Sequence, residues 1–257
     1  MNNAIFNFAE PVNEPVFEYL PGSREREFLE MELREQGSKV VEIPLIIGGK
    51  EIRTGKTGKV VNPADHNHVL ATCHMATERE VRMAIDASLA AKEDWMNLAW
   101  MERAAIMAKA AELISKKYRY KLNAATMLGQ GKNAFQAEID AACEVIDYLR
   151  FNNYFASLIY MEQPKSQGET INRLEYRPLE GFIYTITPFN FTAIASNLNT
   201  SVILMGNTTV WKPATTAVLS NYYLMKILEE AGMPAGVVNF VPGSGSLISS
   251  IVMKHKD

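Results

Sequence analysis

In "ITPFNFTAIASNLN", residues 186–199, a single asparagine, Asn190, stands between two phenylalanines where an alternating run gives way to a helical one. A side-chain amide fixed at a strand end can donate to a developing oxyanion. Asparagine is also among the best helix N-caps, and position alone favours the cap. Lys212, in "WKPATTA", falls at the end of a second strand-like run, where ligands of open α/β sheets bind. An ammonium there reaches a ribose or phosphate, or simply meets water. "GSGS", residues 243–246, follows a third strand-like run and opens a helix, the place for a phosphate-binding turn. It lacks the third glycine of a dinucleotide fingerprint, and a serine N-cap explains it as well. Glu144 lies about 160° round its helix from the apolar stripe, which by itself describes a solvated carboxylate.

Other reactive-looking stretches carry less. "TGKTGK", residues 54–59, imitates a phosphate-binding loop, but Lys50 stands where that motif needs glycine and no helical pattern follows. His66, His68, Cys73 and His74 are the only potential metal cluster. They show neither a helical i,i+4 pair nor a CxxC, so they read as surface loop residues and no metal is expected. Cys73 and Cys143 follow no disulfide or metal spacing and read as small buried hydrophobes in a reducing compartment.

The 257 residues are 47% hydrophobic and 21% charged, with a net charge of −3, the composition of a folded soluble protein. Nothing in that balance suggests a nucleic-acid surface. No apolar run approaches the ~20 residues of a membrane span. The first residues lack both the basic start of a signal peptide and the Arg-rich character of a transit segment, so cytoplasm is the expected location.

The elements that must position these residues are legible in outline. Residues 1–40 form an N-terminal extension, with Pro11, Pro15 and Pro21 ahead of a charged helix over 23–39. Ser23 is its predicted cap and Gly37 its C-cap glycine. Residues 41–162 hold a hairpin turning at Gly48-Gly49, then helices from Thr77, from Met101 and over 134–160. Residues 163–180 are polar and broken by Pro and Gly. From 181 to 257, strand and helix alternate as three βα units, the rhythm of a parallel sheet with covering helices. Three strands alone leave an edge unpaired and the core half covered, so the chain reads as part of a larger protein.

Together, "TITPFNF", "GNTTVWKPATTA" and "AGMPAGVVNFVPG" resemble the aldehyde dehydrogenase superfamily. Within it, "GQGKNAFQAEIDAACEVIDYLRFN", "LEGFIYTITPFNFTAIASNL" and "NEPVFEYLPGSRERE" are similar to the 1-pyrroline-5-carboxylate dehydrogenase family. The likeness runs from about Asn13 to the last residue and covers the N-terminal half of such an enzyme. It implies an α/β, aldehyde dehydrogenase-like fold: an N-terminal helical segment plus the first half of a Rossmann-like NAD-binding domain. It implies NAD-dependent oxidation of L-glutamate γ-semialdehyde to glutamate in proline breakdown, through cysteine attack, hydride transfer and thioester hydrolysis.

By the same resemblance, Asn190 is the side-chain donor of the oxyanion hole and Lys212 holds the adenosine ribose. Ile186, Thr187, Pro188 and Phe189 line the dinucleotide path, and Pro213 and Ala214 sit beside the adenosine. Phe191 walls the aliphatic part of the aldehyde, Glu144 stands in the substrate tunnel, and 163–180 is an oligomerisation hairpin joining copies of the chain. Thr215 stands where many relatives carry a second ribose-binding glutamate, which leaves NAD preference over NADP an expectation. The family's nucleophilic cysteine and base glutamate lie past residue 257, so the chain alone is expected to be inactive. The alternative is a non-catalytic nucleotide-binding or oligomerisation module.

Overall fold

Helix α1, Arg24–Gly37, begins where Ser23 accepts the Arg26 N–H at 3.4 Å. It runs one residue past its expected stop: Gly37 stays helical and Ser38, not a left-handed glycine, closes it. The structure, a computed structural model, describes residues 8–257. The first seven residues of the extension, and with them the start of the segment in which a leader would lie, fall outside the described residues.

Strands β1 (Val41–Ile43), β2 (Leu45–Ile47) and β3 (Lys50–Ile52) come next. Gly48 and Gly49, at φ +56° and +72°, make the tight turn joining β2 to antiparallel β3. Two successive left-handed residues match the twist of such a hairpin, and glycine adopts them without strain. The next pair, β4 (Thr57–Asn62) and β5 (Asp65–His74), is antiparallel, and β1 runs parallel to β5. The His/Cys stretch is therefore strand, not surface loop. His74 is buried, its Nε2 2.9 Å from Glu42, and His68 Nε2 lies 2.7 Å from the Gly37 carbonyl.

Helix α2 (Glu78–Asn97) opens on the predicted capping box of Thr77 and Glu80. Helices α3 (Trp100–Leu113) and α4 (Arg119–Gln130) are joined by a π turn, Ile114–Tyr118, and Gly131 at φ +66° closes α4. The expected helix over 134–160 is α5 (Ala134–Ala137), a second π turn (Glu138–Glu144) and α6 (Val145–Met161). Residues 163–181 contain no strand, only an isolated antiparallel bridge between Gln167 and Thr170.

The alternating region forms as expected: β6 (Ile183–Ile186), α7 (Thr192–Leu204), β7 (Thr209–Lys212), α8 (Val218–Ala231), β8 (Val238–Phe240) and α9 (Gly245–Val252). Its sheet has five strands rather than three, in the order β3-β2-β8-β7-β6. The N-terminal hairpin adds antiparallel to β8 through Ile46 and Phe240. Asn239 fastens the join: its Oδ1 accepts the Gly48 N–H at 2.8 Å and its Nδ2 donates to Ser88 Oγ at 2.9 Å. One side of β8 is thus covered by residues roughly 190 positions away, while β6 remains an edge.

Three buried apolar clusters lie among the described residues, and the largest runs through most of these pieces. It contains Ile46, Trp211 and Phe240 from the five-stranded sheet, Ile43, Val60 and Leu70 from the other, and Trp95, Met107, Leu122, Ile146 and Ile203 from the helices. Its buried indoles find acceptors, Trp95 Nε1 donating to the Ile203 carbonyl and Trp211 Nε1 to Thr187 Oγ1, each at 2.9 Å.

Candidate functional site

The ends of β6 and β7 meet side by side. Ile186 pairs with Lys212 in parallel register, and the Thr187 N–H donates to the Lys212 carbonyl at 3.2 Å. Thr187 is buried beneath the Trp211 indole, while Ile186 and Phe189 stand 54% and 66% exposed. Apolar side chains left open on a strand end form a wall on which a flat ligand can lie. Pro213 is buried and Ala214 half-buried just beyond.

Burial pushes the Lys212 amine below its ordinary range. Its Nζ approaches the first residue of α9, where a Cβ placed on Gly245 would lie 3.9 Å from it. Ser244 precedes α9 without capping it; its hydroxyl pairs with Ser246 at 3.0 Å instead. The serine-cap reading of "GSGS" therefore gives way, and the first N–H groups of α9 are left without a side-chain acceptor. An ammonium and an uncapped helix start side by side suit an anionic or hydroxyl-rich ligand.

Asn190 lies exposed on the turn between β6 and α7 and does not cap the helix. The capping acceptor arrives from a different part of the chain. Asp140, in the second π turn, accepts the Thr192 N–H at 3.0 Å and the Ala193 N–H at 2.8 Å. Lys132 donates to the same carboxylate at 2.6 Å, and its ammonium sits 4.0 Å from the Phe191 ring centroid.

Glu144, at the end of that π turn, borders a cavity of about 400 Å³ with Asp147, Tyr148, Phe151 and Phe155. Burial raises its carboxyl above the usual carboxylate range; Asp140 adds to the rise and Lys132 opposes it. It is thus a half-buried group in a cavity wall rather than a solvated one. The site residues fall into two sets, one at the ends of β6 and β7 and a second of Glu144, Lys132, Asp140 and Phe191. The 186–191 turn belongs to both.

Neither thiol is activated. Burial pushes Cys73 up to about 12, and burial with the Glu138 carboxylate pushes Cys143 up to about 12 against Arg119. No group of three or more His, Cys, Asp or Glu side chains fit for a metal lies among the described residues.

Sequence reasoning missed Asp140 and Lys132, although both stand in the stretch "GQGKNAFQAEIDAACEV". No local signal pointed to Asp140, because the helix start it caps lies 52 positions further along the chain. Missed too was the knot that seats the N-terminal arm. Arg119 donates to Glu14 at 2.6 Å and to Glu138, which also accepts the Phe17 N–H at 2.9 Å and the Tyr19 hydroxyl at 2.6 Å.

Residues 51–257 match the family described as "Aldehyde dehydrogenase family". Over 252 residues the chain is 47% identical to a Dictyostelium discoideum protein named "Delta-1-pyrroline-5-carboxylate dehydrogenase, mitochondrial", covering 98% of this chain and 45% of that one. A relative from Emericella nidulans with the same name is 46% identical over 247 residues, covering 95% and 43%. Among solved structures, the Mycobacterium tuberculosis Delta-pyrroline-5-carboxylate dehydrogenase bound with NAD superposes with a TM-score of 0.97 at 45% identity, over 99% of this chain and 48% of that one. The chain spans about half the length of the curated relatives it matches. The expectation of a cytoplasmic protein is corrected by these matches, since both curated relatives carry mitochondrial names. That expectation rested on charge features missing from the first residues, and a folded domain itself is alike in either compartment.

Proposed function

The chain belongs to the aldehyde dehydrogenase family, and from that premise we propose that it forms the cofactor-binding and oxyanion-binding part of an enzyme oxidising L-glutamate γ-semialdehyde to L-glutamate with NAD in proline degradation. The observation that carries this reading is the 186–191 turn, where a strand end beside Lys212 leads directly to an exposed asparagine whose neighbouring helix is capped by Asp140.

The residues present fit NAD. Lys212 and the uncapped start of α9 offer donors to ribose hydroxyls and phosphate, and Ile186, Thr187, Pro188 and Phe189 line the path between them and the reacting centre. Pro213 and Ala214 flank the adenosine. When bound, NAD supplies the hydride acceptor. The chain's own part is to hold and polarise. Asn190 donates to the aldehyde oxygen as charge grows there, an interaction worth roughly 3–4 kcal/mol in a dry site. Phe191 packs the aliphatic chain, and Glu144 borders its approach. With Thr215 three residues after Lys212, no carboxylate there repels a 2′-phosphate, so NAD preference rests on the rest of the site.

Segment 163–180 is read as the contact joining copies of the chain, because Ile171, Leu174 and Leu179 stand exposed on an otherwise polar stretch. Light scattering above monomer mass supports this, and a monomer at micromolar concentration defeats it.

Two measurements test the main reading. NAD added to the 257-residue chain should perturb its intrinsic fluorescence; no change up to millimolar NAD removes the cofactor assignment. In the enzyme that carries this chain, NADH should form faster from glutamate semialdehyde than from a simple aliphatic aldehyde, and the reverse order removes the substrate assignment. The chain alone, whose two thiols are both buried, should form no NADH.

A further inference from the structure

The first turn of α7 is held more tightly than its own sequence provides for. Its leading N–H groups, from Thr192 and Ala193, would be unpaired in an isolated helix. No side chain of the preceding residues takes them. Asp140, 2% exposed, takes both, one on each carboxylate oxygen, and its Oδ2 also accepts from Lys132 Nζ. A carboxylate facing a helix N-terminus is favoured by the aligned peptide dipoles, and ionised acceptors make the stronger hydrogen bonds.

A second set of contacts fixes the same turn from below. The buried Thr192 hydroxyl lies 2.8 Å from Thr126 Oγ1, 2.8 Å from Gln130 Nε2 and 3.0 Å from Ser220 Oγ. From above, Lys132 rests on the Phe191 ring. The residues on the helix side of Asn190 are therefore gripped by three separate parts of the chain, while Asn190 itself is left exposed.

The π turn is what delivers Asp140. Its i→i+5 bonding widens the helix locally and rotates the residues beyond it, a feature concentrated at functional sites. The same turn carries Glu144 at its other end. One local distortion thus carries both the capping carboxylate and the carboxylate that lines the cavity.

We propose that Asp140 is a positioning residue: by taking the leading N–H groups of α7 it pins the turn that carries Asn190 and so fixes the aim of that amide toward the aldehyde oxygen. This rests on the reading of Asn190 as an oxyanion donor. A well-placed donor acts through its preorganisation, so loosening the turn should cost rate rather than cofactor binding.

The test compares three variants of the enzyme that carries this chain. Asp140→Ala should lower kcat about 30- to 300-fold, with the Kd for NAD changed less than about twofold. Asp140→Asn keeps one acceptor oxygen and should lower kcat only about three- to tenfold. A purely structural Asp140 would instead lower thermal stability and NAD affinity together, with no graded recovery of kcat by asparagine, and that result overturns the proposal. If Asn190→Ala lowers kcat while Asp140→Ala keeps it within about twofold, the positioning role fails and the donor reading survives. If Asn190→Ala leaves kcat unchanged, the donor reading fails and the inference falls with it. Should the alanine variant not fold, Asp140→Asn decides, an unchanged kcat overturning the proposal.

Discussion

Asn190 stands exposed one residue ahead of Phe191, the N-cap position of α7, and Asp140 takes the leading N–H groups of that helix. A measurable consequence is that Asn190→Ala should scarcely change stability, since no cap is lost, while lowering kcat about 10²–10³-fold at constant NAD affinity. A drop in Tm with kcat intact would restore the capping role. Lys212 presents the opposite case. Burial lowers its pKa, so folding is opposed by charging it: the cost is present below its folded value and fades as pH rises past it. Lys212→Met should therefore leave Tm unchanged or higher while weakening NAD binding at least about tenfold. Isothermal titration beside a thermal melt checks both, and unaltered NAD affinity would take Lys212 out of the cofactor site.

Among the elements, the N-terminal arm depends most on electrostatics. Burial alone would raise the Glu14 carboxyl, but hydrogen bonds from Ser115, Arg150 and Arg119 outweigh it and hold the group below its ordinary value of 4.5. A depressed carboxylate stabilises the fold fully above that ordinary value and loses its contribution as pH falls through the folded one. The arm should thus loosen below about pH 4.5, seen as proteolytic cleavage near residues 13–20, and Glu14→Gln should flatten the pH dependence. Cleavage independent of pH in the unaltered chain would contradict this. Arg119→Met leaves Glu138 buried without its cation and should cost roughly 3–5 kcal/mol in denaturant unfolding. Both effects belong to the arm and helices, and neither requires the site chemistry to be correct.

Across the whole molecule, the hairpin β2–β3 and the parallel strands share a sheet and a core, so they should unfold together. Urea unfolding monitored by tryptophan fluorescence and by far-UV circular dichroism should give coincident transitions. Asn239 is the joint between the halves, fully buried and bonded to Gly48, Ser88 and Gly236. Asn239→Leu strands those partners and should cost at least about 1–3 kcal/mol, shifting the midpoint without changing the slope. Two separated transitions in the unaltered chain would mean that the hairpin and the parallel strands are independent units.

What the sequence determined by itself was whatever depends on short-range pattern. Ser23 and Thr77 announced their helices, Gly48-Gly49 their turn, and the 181–257 alternation its βα units, because caps, turns and periodicity act over a few residues. The motifs likewise marked the family, and with it Asn190 and Lys212 as residues to watch. Tertiary structure decided what depends on partners far apart in the chain. The fourth and fifth strands of the sheet come from residues 45–52, and the strand that holds His74 is flanked by β1 and β4. The helix break at Glu138–Glu144 carries no local sign, and the cap of α7 is a carboxylate 52 positions upstream. A hydrogen bond needs only proximity in space, so the residue that caps α7 could not be read from the stretch that opens the helix.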